Sequence, residues 1–442
     1  ARYTPSFGIS EKINITNPAM IKVRDTKLAI LREAMNADEK INIQYASKYF
    51  MNSNYWKYAI GECEYTKKYD VVGIKTAEEA WINADPTRKA KYGNLIEELR
   101  ACYAFAAPYM ATGIYHREAI VNGADLTRLA MRFKGFESTM EKQGCCVLHK
   151  DCAQCKNLRH FCEQYFKDYD EQVDRKIFTA MIELYVKNID PKFFPEEIGN
   201  LVKKFKGDYQ KLTDYVYKNS ILTTKDRLFT WLDKGVDKKT IDKDPAYLIT
   251  KSAQTKNYEL RDYLKDNSQK IGTLRTLYME ALVEMNKGTV LPPDANSTMR
   301  ITYGTVGGYS PKDGVIYDYR SSIDGYKEKY VENDPEFDLN PDCWAAIQKG
   351  DWGRYADKDG KLYTGFATNL DITGGNSGSP VINAKGELIG LAYDGNWESM
   401  AGDLYYNPKY NKCVCVDIRF ILWILDKYAR ASNLLNEISI VE

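Results

Sequence analysis

Two regimes of hydrophobic spacing divide this chain. In the first, Ile21, Leu28, Leu31 and Met35 follow Asn17-Pro18 at the intervals of one helix face, with Asn17 placed to cap and Pro18 to begin the helix. Asp85-Pro86 opens a second helical pattern with Leu95, Leu99, Cys102 and Phe105 on a face. Val173, Ile177, Met181 and Leu184 mark a third, and Tyr258 to Met285 predicts a long helix. The breaker cluster Gly288 to Asn296, with Pro292 and Pro293, closes this part. Beyond it the apolar runs shorten to strand length, around Ile301, Tyr303, Phe366, Val381 and Leu391, bounded by Gly, Asp and Asn. Residues 419 to 430, RFILWILDKYAR, predict a helix near the end of the sequence. The order of elements gives an α+β chain without internal repeats.

Composition narrows the function. At 442 residues the chain can hold two or three domains and a sizeable core. With 62 basic and 61 acidic residues its formal net charge is +1, so no large field draws it to nucleic acid or an anionic membrane. No apolar run approaches the roughly 20 residues of a membrane helix.

The chemistry concentrates at residues 374 to 380, GGNSGSP. A Gly-x-Ser-Gly loop can fold so tightly that two backbone N–H groups point at one spot beside the serine hydroxyl, which is how trypsin-like peptidases build an oxyanion hole. On this reading Ser377 is the nucleophile, Gly375 and Ser377 supply the donors, and Gly374 and Gly378 supply the unusual dihedrals. Gly, Asn and Ser are also common turn residues, so the same heptapeptide could be a plain loop between strands. The flanking sequence favours the first reading. Pro380-Val381-Ile382, the turn Ala384-Lys385-Gly386 and the run Leu388 to Tyr393 spell a β-hairpin of the kind that walls the pocket in a trypsin-like second barrel.

A second constellation, Cys145, Cys146, His149, Cys152, Cys155, His160 and Cys162, has ligand chemistry suited to zinc. We place disulfides or buried free thiols ahead of metal there, and expect no cofactor. Cys413 and Cys415 should face the same side of a strand without pairing easily, with Cys343 as a partner for one of them.

The stretch TGGNSGSPVINAKGELIGLAYDGNWESMAGD, residues 373 to 403, resembles the active-site segment of the bacterial serine dipeptidyl peptidases typified by dipeptidyl peptidases 7 and 11. The runs MRITYGTVGGYSPKDGV (299 to 315), DWGRYADKDGKL (351 to 362), CVDIRFILWILDKYA (415 to 429) and QYASKYFMNSNYWKYAIG (44 to 61) resemble it in order and spacing. The resemblance implies an enzyme that takes oligopeptides and removes dipeptides from free N-termini. A carboxylate and an asparagine then grip the substrate α-ammonium group; by motif position these are Asp394 and Asn54, with Asn52 as the alternative to Asn54. A buried ammonium needs a charge partner and further acceptors, which the pair supplies. The residue after that Asp separates family members with arginine, which take acidic side chains before the scissile bond, from members with glycine, which take apolar ones. This chain has Gly395.

The same resemblance sets the expected layout. Residues 1 to 16 and 296 to 442 form a trypsin-like second β-barrel, and 17 to 295 an inserted α-helical domain acting as a lid, with Asn54 at its closed end. The triad histidine and aspartate are not recognisable. His116, His149 and His160 all fall in the helical region, so the expectation is a C-terminal part of a longer enzyme, with the first barrel absent and the triad incomplete. A bacterial periplasmic or cell-surface location, a signal peptide in the precursor and a homodimer are further implications. The alternative is a non-catalytic peptide- or protein-binding module with a Cys/His-rich helical domain.

Overall fold

The helices begin where short polar side chains can satisfy the first backbone N–H groups. Asp85 accepts from the N–H groups of Thr87 and Arg88 at the head of Pro86–Tyr92, and Asp170 from Gln172 and Val173 at the head of Glu171–Asn188. The computed structural model describes residues 2–143, 147–293, 296–334 and 336–441. Cys145 and Cys146 lie outside the described residues.

The chain divides into two units. The first, Thr4–Glu64 with Asp70–Leu291, is helical apart from one short strand pair, Val147–Leu148 with Val236–Asp237. Its core is built from helix faces, including Leu31, Leu126, Phe178, Tyr185, Tyr217 and Tyr247. The long helix expected from Tyr258 to Met285 is two helices, Pro245–Tyr263 and Lys265–Met285. Asp244 caps the first from outside the predicted span, and Leu264, with ψ of −3°, turns the chain so that the second packs on Leu95–Tyr115.

The expectation that 1 to 16 belong to the barrel does not hold for Ser6–Glu11, which is α-helical, or for Lys12–Thr16, a π-helical continuation into Asn17–Ala37. The helix has no cap of its own. Instead the buried carboxylate of Glu79 accepts the Ser6 N–H at 2.7 Å and its hydroxyl at 2.8 Å, which satisfies orphan donors from a distant helix.

Within the helical unit His116 Nε2 meets the Tyr185 hydroxyl at 2.6 Å, while Nδ1 has no partner among the described residues. Burial holds this imidazole down to about 4 from its usual 6.5. The unfolded chain therefore binds a proton near pH 6.5 that the folded one refuses until about 4. Stability from His116 is complete above that window and is lost as pH falls through it, by roughly 3 kcal/mol at most. Urea midpoints for His116→Gln should fall less between pH 7 and pH 4.5 than those of the parent. Equal falls would contradict this account.

The second unit gathers Arg2, Tyr3, Tyr65–Tyr69 and the chain from Pro292 onward. It holds a five-stranded antiparallel sheet, ordered Arg320–Ser322, Tyr363–Thr368, Cys413–Asp417, Leu388–Gly395 and Pro380–Ile382. Pro380 sits on an edge strand, where a missing N–H donor is tolerated. A separate hairpin pairs Tyr309–Lys312 with Val315–Tyr317. Ile301 and Tyr303, expected in strands, are in neither sheet, and both are exposed. Alternate residues of the central strand, Cys413 and Cys415, point into a small core with Phe366, Val381 and Ala392.

Candidate active site

The serine loop is two tight turns in succession. The Asn376 N–H donates to the Thr373 carbonyl at 3.2 Å and the Ser379 N–H to the Asn376 carbonyl at 2.9 Å, each closing four residues. The third residue of each turn has positive φ: Gly375 at 103° and Gly378 at 86°. Turns of this kind need glycine there. Gly374, to which the sequence reading gave a special dihedral, does not have one; the conformational demand falls on Gly375 instead. Asn376 also closes the loop from within, its side-chain carbonyl accepting the Thr373 N–H at 3.0 Å.

The loop is stitched to the next strand. Gly378 N–H donates to the Ala392 carbonyl at 2.7 Å, and Ala392 N–H returns to the Ser379 carbonyl at 3.0 Å. The N–H groups of Gly375 and Ser377 donate to nothing among the described residues, so both are open to a developing oxyanion. The exposed Ser377 hydroxyl donates to the Tyr393 carbonyl at 3.1 Å.

Strand Leu388–Gly395 carries the other two residues. Ala392 pairs with Cys415 and Asp394 with Val414, so Tyr393 is an extra residue in the ladder, a β-bulge. The bulge breaks the alternation, and Tyr393 and Asp394 are consecutive exposed residues. Asp394 Oδ1 accepts the Gly395 N–H at 2.8 Å. The structure thus brings Ser377, Gly375, Asp394 and Gly395 to one region. Asn54 stands in the helical unit, exposed on helix Glu39–Lys68, with no side-chain hydrogen bond among the described residues. Asn52, by contrast, spends its amide on the Lys48 carbonyl at 2.7 Å.

Sequence reasoning missed a brace beneath the loop. Arg2 forms a two-pronged ion pair with Asp371, donates through Nε to the Gly402 carbonyl at 2.9 Å, and lies 5.3 Å from the Tyr406 ring centre. Thr373 donates to Asp403 at 2.7 Å. A cavity of about 500 Å³ adjoins the loop here, its walls including Arg300, Thr302 and Asn376. Arg2 and Asp371 stand too far apart in sequence for any local pattern to have linked them.

The described cysteines, Cys63, Cys102, Cys152, Cys155, Cys162, Cys343, Cys413 and Cys415, are all free thiols. No group of three or more metal-binding side chains occurs among the described residues. Cys413 and Cys415 do face one side, with their sulfurs 3.6 Å apart; each thiol shifts the other, Cys413 downward and Cys415 upward. Cys343 belongs to helix Pro341–Lys349 and a different core.

The family model described as peptidase S46 matches residues 1–440. This chain belongs to that family. The S46 chain is 36% identical over 447 residues to a dipeptidyl-peptidase 7 of Porphyromonas endodontalis, covering 100% of this chain and 53% of that protein. It is also 36% identical over 450 residues to an Asp/Glu-specific dipeptidyl-peptidase of Capnocytophaga gingivalis, covering 100% of this chain and 62% of the other. Among solved structures it is similar to Porphyromonas endodontalis DPP11 in complex with the dipeptide Arg-Glu, with a TM-score of 0.85 and 27% identity over 99% of this chain and 62% of that one. The S46 chain thus spans between about half and two thirds of the length of these relatives. No helix among the described residues is long and apolar enough to cross a membrane.

Proposed function

We propose that this S46 chain carries the nucleophile and part of the substrate site of a serine peptidase that releases dipeptides from free N-termini. The observation that carries the reading is the double turn at Ser377, with two unengaged N–H groups beside an exposed hydroxyl. Ser377 Oγ attacks the carbonyl carbon of the second peptide bond. The carbonyl oxygen takes up negative charge against the Gly375 and Ser377 N–H groups, and the amine of the remaining peptide leaves with a proton. Water then hydrolyses the acyl-enzyme, returning the serine and freeing the dipeptide. The sheet-bearing unit contains no histidine. In this proposal the base that takes the serine proton and its orienting aspartate are not supplied by this chain. The five-stranded sheet serves as the core of a trypsin-like second barrel, and the helical unit as a lid.

Asp394 and Asn54 hold the substrate ammonium. The free amide of Asn54, set against the engaged amide of Asn52, supports that choice. Relatives named for dipeptidyl-peptidase 7 and for Asp/Glu specificity are equally identical to this chain, so overall likeness does not decide specificity. Gly395 does. Without a cation there, an acidic side chain would be buried unpaired at a cost of several kcal/mol, whereas an apolar one gains roughly 1.5–3 kcal/mol. The test compares kcat/KM for free-amino dipeptidyl amides ending in Leu, Met, Phe, Asp or Glu. Apolar residues are expected to win by tenfold or more. A preference for Asp or Glu refutes the role of Gly395. A bacterial periplasmic or surface location and a homodimer complete the proposal, by resemblance to the family.

A further inference from the structure

The need for glycine at position 395 does not come from the backbone. Gly375 and Gly378 have positive φ, but Gly395 does not, so its conformation is open to any L residue. The obstruction is a neighbour. A Cβ built on Gly395 falls 2.6 Å from the Ser399 hydroxyl, while the next atoms, the Lys412 carbonyl oxygen and Ser399 Cβ, stand at an ordinary 3.8 Å.

That hydroxyl is held in place. It donates to the Asn396 carbonyl at 2.7 Å, the same oxygen that accepts the Ser399 N–H at 3.0 Å, and the Ser399 carbonyl accepts from Gly402 at 2.7 Å. Nor can the backbone retreat easily. Asn396 is tied to the segment leading into strand Cys413–Asp417 by its N–H to the Lys412 carbonyl, by the Lys412 N–H to its side-chain oxygen, and by its amide to the Tyr410 carbonyl. The buried Glu398 side chain takes the Tyr309 hydroxyl at 2.7 Å and the Asn396 amide at 3.0 Å, while its carbonyl takes the Tyr69 hydroxyl at 2.9 Å. Only the hydroxyl of Ser399 is free to be removed.

We propose that Ser399 is a specificity-determining partner of Gly395: its hydroxyl occupies the Cβ position of residue 395 and keeps that wall of the pocket bare, reserving it for apolar side chains. The proposal rests on the reading of Gly395 as part of the pocket for the residue before the scissile bond. Two consequences separate it from that reading. Arginine at 395 alone does not deliver its guanidinium well, because its Cβ collides with Ser399. Alanine at 399 removes the collision.

The experiment measures kcat/KM in the active enzyme for free-amino dipeptidyl amides ending in Leu or Asp, for Gly395→Arg, Ser399→Ala and the double variant, with thermal melting to establish folding. Gly395→Arg is expected to lose Leu turnover while gaining little on Asp, and the double variant to exceed it on Asp by tenfold or more. Gly395→Arg alone matching the double variant on Asp overturns the role of Ser399 and leaves that of Gly395 standing. No gain on Asp in either folded variant overturns both. Where the arginine variants fail to fold, Gly395→Ala serves. Leu turnover should drop severalfold in Gly395→Ala and return with Ser399→Ala, and an undiminished rate in Gly395→Ala overturns the proposal.

Discussion

Ser377→Ala is expected to abolish dipeptide release in the active enzyme, lowering kcat by roughly 10⁴-fold or more while the fold is retained. The hydroxyl is exposed and makes a single hydrogen bond, to the Tyr393 carbonyl, so its loss leaves no buried group unsatisfied. The chemical loss is large because the remaining apparatus, two N–H donors and a binding site, can only stabilise a tetrahedral species that no nucleophile now forms. Initial rates on a free-amino dipeptidyl amide, beside matched melting curves, check the point. Activity within tenfold of the parent would remove Ser377 from the mechanism.

Acetylating the substrate N-terminus should cost less but still slow cleavage substantially. It removes the cation that Asp394 and Asn54 are proposed to hold. A hydrogen bond between charged partners contributes roughly 1.5–3 kcal/mol, so free peptides should be cleaved ten- to a hundredfold faster than blocked ones. Asp394→Asn should erase most of that difference by slowing the free peptides alone. Equal cleavage of blocked and free peptides refutes exopeptidase action, whatever the fate of Ser377.

Local signals in the sequence account for much of this site. A tight loop was legible because Gly, Asn and Ser are turn residues and Gly378 does take positive φ, and the hairpin because its alternation and its turn agree; the closure by Asn376 was not. Asp85-Pro86 marked the start of Pro86–Tyr92 for the same reason, whereas the Asp170 cap of Glu171–Asn188 emerged only from the structure. What stayed hidden depends on partners distant in the chain. The helix at Ser6 is capped by Glu79, the serine loop is braced by Arg2 on Asp371, and the bulge at Tyr393 arises only when the strand is laid against Val414. The glycines misled in one instructive way. Gly374 looks equivalent to Gly375, yet turn geometry gives the positive φ to one of them alone, and at Gly395 the constraint is a neighbour's hydroxyl rather than the backbone.

The hydrogen bond from Ser377 to the Tyr393 carbonyl bears on the first proton transfer of the proposed mechanism. An amide oxygen accepts a hydrogen bond but is far too weak a base to carry the proton away, so the proposed mechanism needs another acceptor for it. That proton must first be re-aimed at a true base, and the bond given up in doing so is a modest one. In the proposed mechanism the strand bulge that presents the Tyr393 carbonyl therefore sets where the serine proton starts from.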